Sequence, residues 1–212
     1  MDNRFNKWNR WLDTIYSEIT NLSRYRNIFW EVQKIIEDNQ KIQKPSAFYE
    51  FLGHSYVAYT LMGIRKQVKI HKDSISFARL LKEIIETPEV LSRTRFVNRY
   101  KGSAIEHHAN KDFDQFSGNV ISHVDPSVVK KDLENLMKKA KCLEEYADKR
   151  IAHLDKKFPK TIPTYKDADD CIDFLEELMK RYFLLIRGEA LSDILPSYLY
   201  DWKAIFKYPW IP

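Results

Sequence analysis

Apolar positions recur along this chain at steps of three and four residues. Trp8, Trp11, Leu12, Ile15, Tyr16, Ile19 and Leu22 mark one face of an amphipathic helix. Ile28, Phe29, Val32, Ile35, Ile36 and Ile42 predict a second helix, ended by Pro45. Ser46 can cap a third, through Phe48, Phe51, Leu52, Val57, Ala58, Leu61, Met62 and Ile64. It is apolar on more than one side, which predicts the most buried helix. Ser74 or Ser76 can cap the next, with Phe77, Leu80, Leu81, Ile84 and Ile85 stopping before Pro88. A short helical piece follows over residues 89–100. Residues 101–123 show no clear period and predict a long loop.

Asp125-Pro126 is an N-cap acceptor followed by proline at the first helical position. The stripe Val129, Leu133, Leu136, Met137, Ala140, Leu143, Ala147, Ile151 and Leu154 predicts one helix to about Asp155. Pro159 and Pro163 bracket a turn. A last long helix carries Ala168, Cys171, Ile172, Leu175, Leu178, Met179, Tyr182 and Ile186, and stops at Gly188, a natural C-cap. The tail, residues 196–212, is rich in aromatics (Tyr198, Trp202, Phe206, Tyr208, Trp210) and is expected to pack on the body. No segment alternates as a strand does. The pattern predicts an all-α helical bundle with two long antiparallel C-terminal helices. It reads as a single domain over 1–212, with a helical N-terminal extension (about 1–45) and an aromatic C-terminal tail (196–212).

The 212 residues, 31% charged and 44% hydrophobic, have the balance of a soluble globular protein. Only two cysteines occur, Cys142 and Cys171, without metal-ligand spacing; buried thiols in a reducing cytoplasm are the expectation. The N-terminus lacks a signal-peptide core and no run approaches a membrane span, so a cytoplasmic protein without membrane contact is expected. The net charge of +5 permits a nucleic-acid partner without demanding one.

That charge is concentrated. Between Arg65 and Lys101 ten cations face four acids, a net of +6. Arg93, Arg95 and Arg99 surround Phe96 and Tyr100, while Arg65 and Lys66 open the stretch. Cations track phosphates, and aromatic faces and guanidinium planes stack on unpaired bases, so Arg65, Lys66, Arg93, Arg95, Arg99 and Tyr100 are candidate nucleic-acid contacts. The bland reading is a solvated helix face with its aromatics turned inward.

The second concentration of chemistry is Tyr146-Ala147-Asp148-Lys149-Arg150-Ile151-Ala152-His153-Leu154-Asp155. On a continuous helix Arg150 and His153, three apart, share a face. His153 is then a candidate general acid or base, Arg150 a phosphate-binding fork, and Asp148 or Asp155 a carboxylate that orients the imidazole. Cationic side chains closing a helix C-terminus give the same pattern. Around Glu106-His107-His108 the spacing is wrong for a metal site, and His54 and His71 read as structural or solvent-facing. There is no phosphate-binding glycine loop or nucleophile elbow. No metal and no cofactor are expected.

Asp148 to Asp155 resembles the Arg-Asp/Asn-Lys-x-x-Ala-His-x-Asp signature of HEPN proteins, in particular the abortive-infection (Abi U-type) branch. Met62-Gly63-Ile64-Arg65-Lys66-Gln67 followed by residues 73–81 is similar to that branch's middle region. Trp202-Lys203-Ala204-Ile205-Phe206 with Pro209-Trp210-Ile211-Pro212 is similar to its end. The resemblance runs from about Phe51 onward. It implies a HEPN-like helical bundle that dimerises. In active members an Arg and a His from both subunits flank a scissile phosphate in metal-independent RNA cleavage. The chain departs from the pattern where the family's Arg falls, at Tyr146, Ala147 or Asp148. Arg150 from the adjoining turn and Arg95 from elsewhere are the candidates to stand in; otherwise the site is inactive. Asp155 also occupies the place of the Tyr that a partner nucleotidyltransferase modifies in some HEPN toxins.

The reading is therefore an RNA-directed protein of phage defence or a toxin–antitoxin system, a metal-independent endoribonuclease or a degenerate relative. RNA and an antitoxin protein are its candidate partners, and a homodimer its expected state. The alternative is a non-catalytic helical module that binds RNA, a nucleotide or a protein.

Overall fold

A computed structural model of the chain describes residues 2–195 and 197–208. Among them there is no strand, only an isolated antiparallel bridge between Ser92 and His123. The fold is all-α. The helices are α1 (Asp2–Glu37), α2 (Ala47–Val68), α3 (Phe77–Glu86), α4 (Arg93–Asn98), α5 (Ala109–Ser117), α6 (Pro126–Tyr146) and α7 (Tyr165–Arg187).

The two N-terminal helices expected from the sequence are one. Ser23-Arg24-Tyr25-Arg26-Asn27 interrupts the apolar stripe with polar side chains, but it holds neither proline nor glycine. Ser23 Oγ donates back to the carbonyl of Ile19 at 3.1 Å, a bond that helices tolerate. Arg26 reaches α7, donating to Glu176 at 2.8 Å and to the Asp169 carbonyl at 3.2 Å. The stripe therefore runs unbroken through Trp8, Leu12, Ile15, Ile19, Leu22, Phe29 and Val32, all buried.

α1 runs antiparallel to α7, with Arg26 at one end of the contact and Arg187, bonded to Asn9 and Asp13, at the other. It is also antiparallel to α2, as the Glu18–Lys66 and Phe29–Tyr56 pairs show. Gly63 makes that crossing close, since a Cβ there would stand 2.6 Å from Leu22 Cδ2. α3 and α2 pack on α6, and α6 packs antiparallel on α7. The Asp132 carboxylate accepts from Tyr182 Oη at 2.9 Å and Arg181 at 3.1 Å near one end of that pair. Lys139 lies over Phe174 nearer the other.

The expected caps are present. Ser46, Ser76 and Asp125 each accept a backbone N–H of the first turn, and Gly188 ends α7 in the left-handed region at φ 70°. Thr164 and Asp167 add a reciprocal cap at the start of α7.

Residues 101–123 are not the predicted loop. They contain a 3-10 turn, Glu106–His108, and α5. Ala109, Phe113 and Phe116 are spaced four and three apart and are buried, but five polar residues dilute the stripe in sequence. Gly118 then turns at φ 49°, where a Cβ would strike the Asp125 carboxylate. Beyond α7, Tyr198 Oη donates to Asn27 at 2.8 Å and Lys203 pairs with Glu31, so residues 198–203 of the tail lie on α1. Pro196 and Pro209, Trp210, Ile211 and Pro212, which entered the sequence reading of the tail, lie outside the described residues.

Candidate functional site

The end of α6 corrects the sequence reading most. The helix does not run to Asp155. Leu143 and Ala147 remain buried, but residues Ala147–Ala152 form a π-helical turn, and His153 follows in extended conformation at φ −138°, ψ 156°. A π turn closes over five residues rather than four, a feature frequent at functional sites. It cancels the three-residue register that would put Arg150 beneath His153. Arg150 instead lays its guanidinium 4.2 Å over the exposed ring of Phe158. His153 and Asp155 are exposed, and the Asp155 amide donates to the Lys149 carbonyl at 3.0 Å, tying the chain back to the turn.

Asp148, at the other end of the π turn from His153, does not turn to the imidazole. One oxygen accepts from Arg65 Nε and the other from Lys69 Nζ at 3.0 Å. Arg65, in the last turn of α2, and Lys69, its C-cap, are four residues apart and both come from the end of that helix. Lys69 also reaches Glu144 at 2.7 Å. Partial burial works against ionisation of Asp148, but the hydrogen bonds from Arg65 and Lys69 outweigh it and hold the carboxyl below its usual range. The hydrogen bonds of Lys69 to Glu144 first and then to Asp148 raise its own pKa. The missing motif arginine thus has a neighbour in space: a guanidinium from α2, 83 residues earlier in the chain, stands on Asp148.

The other sequence candidates lie elsewhere. Lys66 faces Glu18 at 3.3 Å. Arg93 joins α4 to α5 and the turn after it, donating to the Ile121 carbonyl at 2.7 Å, Asp114 at 2.7 Å and Ser117 at 3.2 Å, over the Phe113 ring. Arg95 and Arg99 both lie over Phe5 of α1, and Arg99 also donates to the Ile186 carbonyl. Burial and then the charge of Arg95 lower the pKa of Arg99. The Tyr100 ring is 4% exposed; its hydroxyl donates to Asp112 at 3.1 Å, and burial followed by that carboxylate push its pKa up to about 12. His107 and His108 meet at 4.0 Å between ring centroids, tilted by 42°, and no cluster of three or more His, Cys, Asp or Glu able to hold a metal occurs among the described residues. Cys142 and Cys171 are free thiols, both raised by burial.

Two features escaped the sequence reading. Lys69 lay inside the basic stretch, yet only its i+4 spacing from Arg65 hinted that both serve one acid. A cleft of about 430 Å³ lies between α2, the end of α6 and the start of α7, and Tyr146, the first residue of the motif segment, forms part of its wall.

A family model described as AbiU2, of the HEPN type, matches residues 5–205. The chain belongs to the AbiU2 family of HEPN proteins. The match includes α1, which the motif resemblance from Phe51 onward did not reach, so the whole bundle is family structure. It also makes this an abortive-infection family member with an all-α fold. No curated protein and no solved structure matches the chain. No helix among the described residues is long and apolar enough to cross a membrane.

Proposed function

We propose that this AbiU2-family chain acts on RNA in phage defence or a toxin–antitoxin system, and that His153 drives metal-independent cleavage of single-stranded RNA. The observation that supports the reading is the π turn: an exposed His153 at one end, and at the other Asp148 with Arg65 and Lys69 drawn to it. In this reading the imidazole takes the proton of a ribose 2′-OH, the 2′ oxygen bonds to phosphorus as the bond to the 5′ oxygen breaks, and the 5′ oxygen takes a proton from water. The products are a 2′,3′-cyclic phosphate and a 5′-hydroxyl. Arg65 balances the charge that builds on the phosphoryl oxygens, the role a planar guanidinium fills best. A second subunit of a homodimer brings a second such site to the same strand, and an antitoxin protein is the partner that would restrain it.

The test is cleavage of single-stranded RNA in excess chelator. Wild type yields cyclic-phosphate ends, and His153→Ala loses about 10²- to 10⁴-fold in rate, the usual contribution of a positioned acid or base. Equal cleavage by His153→Ala removes the assigned role. Light scattering at micromolar concentration checks the dimer, and a monomer refutes it.

A second reading is favoured by Arg150. With its guanidinium on Phe158 and Arg65 neutralised by Asp148, the motif matches a helical module that binds RNA, a nucleotide or a protein without cleaving it. That reading expects salt-dependent RNA binding with no new ends and no growth arrest on induction.

A further inference from the structure

The cleft beside the motif has a composition that the cation cluster does not. Its walls are aliphatic side chains of α2, of the turn before α7 and of the start of α7, with three tyrosines: Tyr56 from α2, Tyr146 from the end of α6 and Tyr165 from the first turn of α7; Tyr165 is 42% exposed. Its described lining includes no Asp, Glu, Lys or Arg, so it offers a phosphate no permanent counter-charge. It does offer hydrogen bonds. His54 stands exposed in the lining, and the hydroxyl of Thr60, a residue 1% exposed, has no partner in hydrogen-bonding geometry. The Tyr56 phenol, one turn earlier, donates to Asp169 at 3.4 Å rather than to Thr60, although the Thr60 hydroxyl lies close enough to offset part of the burial that raises the phenol's pKa. A buried hydroxyl left unpaired costs about 1–3 kcal/mol, so its place in a cleft points to a ligand that pairs with it.

The row that enters the cleft also leaves it. Val57, Leu61 and Arg65 are spaced by four along α2, each one turn beyond the last, and Lys69, the C-cap, follows at the same step. The first two line the cleft, and the last two hold Asp148. From Leu61 to Arg65 is about 6 Å along the axis, roughly the span from a nucleotide's base to its phosphate.

We propose that this cleft is a nucleobase pocket, which takes one unpaired base of single-stranded RNA between its tyrosine and aliphatic walls, with Thr60 and His54 on the base edge, while the adjoining phosphate lies toward Arg65 and Lys69. The proposal rests on the RNA-directed reading above and names how that site grips its substrate. Apolar and aromatic walls take the flat faces of a base, and the hydroxyl and imidazole, each able to donate or accept, read its edge. A cleft of about 430 Å³ is within the range of small-ligand pockets and has room for a base with its ribose.

The test uses the full chain and two variants. Thr60→Val keeps the shape and removes the hydroxyl. Ile162→Trp, at an exposed position in the cleft lining, narrows the cleft without touching the core. The probes are the four nucleoside 5′-monophosphates, titrated by calorimetry, and fluorescein-labelled twelve-nucleotide homopolymers of A, C, G and U, read by anisotropy. Wild type binds one base in preference to the others. Thr60→Val loses about five- to ten-fold for that base, the worth of one hydrogen bond, and flattens the preference. Ile162→Trp weakens every monophosphate by at least that factor. No base preference in wild type, or the same affinities in all three proteins, overturns the pocket. Should Thr60→Val fail to fold, Ile162→Trp decides alone. The two proposals separate cleanly. Monophosphates that bind wild type and are lost in the variants, in a protein that leaves RNA intact, uphold the pocket and remove the ribonuclease. His153-dependent cleavage with KM and base preference unchanged in both variants does the reverse.

Discussion

Two groups of cations come from the same basic stretch of sequence and end in opposite situations. On α4 and its C-cap, Arg93, Arg95 and Arg99 are committed to the body: Arg93 to the Ile121 carbonyl and Asp114, Arg95 to the Phe5 ring, Arg99 to Phe5 and the Ile186 carbonyl. At the end of α2, Arg65 and the C-cap Lys69 point to the π turn and share Asp148, with Glu144 also on Lys69. Positive charge in the sequence therefore has two destinations. Where loops and short helices need their carbonyls satisfied, arginine serves the fold. Where two long helices converge on an irregular turn, it is left facing a carboxylate that a phosphate could replace. The sequence placed both groups in one basic stretch; the geometry puts the end of α2 beside the motif.

The largest expected effect that separates the groups is on cleavage. Arg65→Met should lower the cleavage rate by about 10²- to 10³-fold, the scale of losing one preorganised donor to a developing oxyanion. Its melting temperature should move little, because the Asp148 pair is partly solvent-exposed and such pairs contribute about 1 kcal/mol or less. If Arg65→Met cleaves like wild type, α2 is not the phosphate side of the site.

Arg93→Met should do the opposite. Losing its bonds to the Ile121 carbonyl and Ser117 should cost about 1–2 kcal/mol, the exposed Asp114 adding little. That corresponds to a melting temperature lower by roughly 3–7 °C for a chain of this size. Cleavage measured well below the transition should stay near wild type. A strong loss of RNA affinity without loss of stability would return α4 to the nucleic-acid surface.

Asp148→Asn sharpens the same contrast. It removes the acid that neutralises Arg65, leaves Lys69 only Glu144, and keeps the shape of the side chain. RNA affinity should rise, and the slope of log affinity against log salt should steepen by about 0.7 for each cation newly committed to a single-strand phosphate. Anisotropy from low to moderate salt reads both. An unchanged slope would mean these cations never meet the backbone.

What the sequence disclosed and withheld follows one physical line. Caps at Ser46, Ser76, Asp125 and Gly188 were legible because a cap is a bond between residues two to four apart. The antiparallel α6–α7 pair was legible because both stripes are long and apolar. α5 was hidden because its three buried residues are too few against their polar neighbours, and the continuity of α1 because polar residues look like a break when no partner is visible. The π turn left no mark, since Ala147 and Ile151 fit the period of an α-helix. The contact of Arg65 with Asp148 joins residues 83 apart, so the motif could show that an arginine was missing from its usual place but not which helix brings one near.

The smallest expected effect compares two acids on the same C-terminal arm of the molecule. Asp132 is buried, and burial raises its carboxyl above 3.8 even though Arg181 and the Tyr182 hydroxyl favour the ionised form. Asp148 is half-buried and lowered by Arg65 and Lys69. The signs follow from linkage. A raised Asp132 binds its proton more tightly when folded, so its contribution is complete below 3.8 and is lost as pH rises through the folded value. A lowered Asp148 contributes fully above 3.8 and is lost as pH falls through its folded value. Urea midpoints of wild type, Asp132→Asn and Asp148→Asn, measured from pH 3 to 7, separate the two. Asp132→Asn should remove a decline in stability on the high side of 3.8, and Asp148→Asn a rise that begins below it. The second slope should be the weaker, because water screens the half-exposed pair. If Asp132→Asn keeps the wild-type slope above 3.8, the buried network with Tyr182 carries an ionised carboxylate throughout, and both ends of the arm then bind their acids as anions.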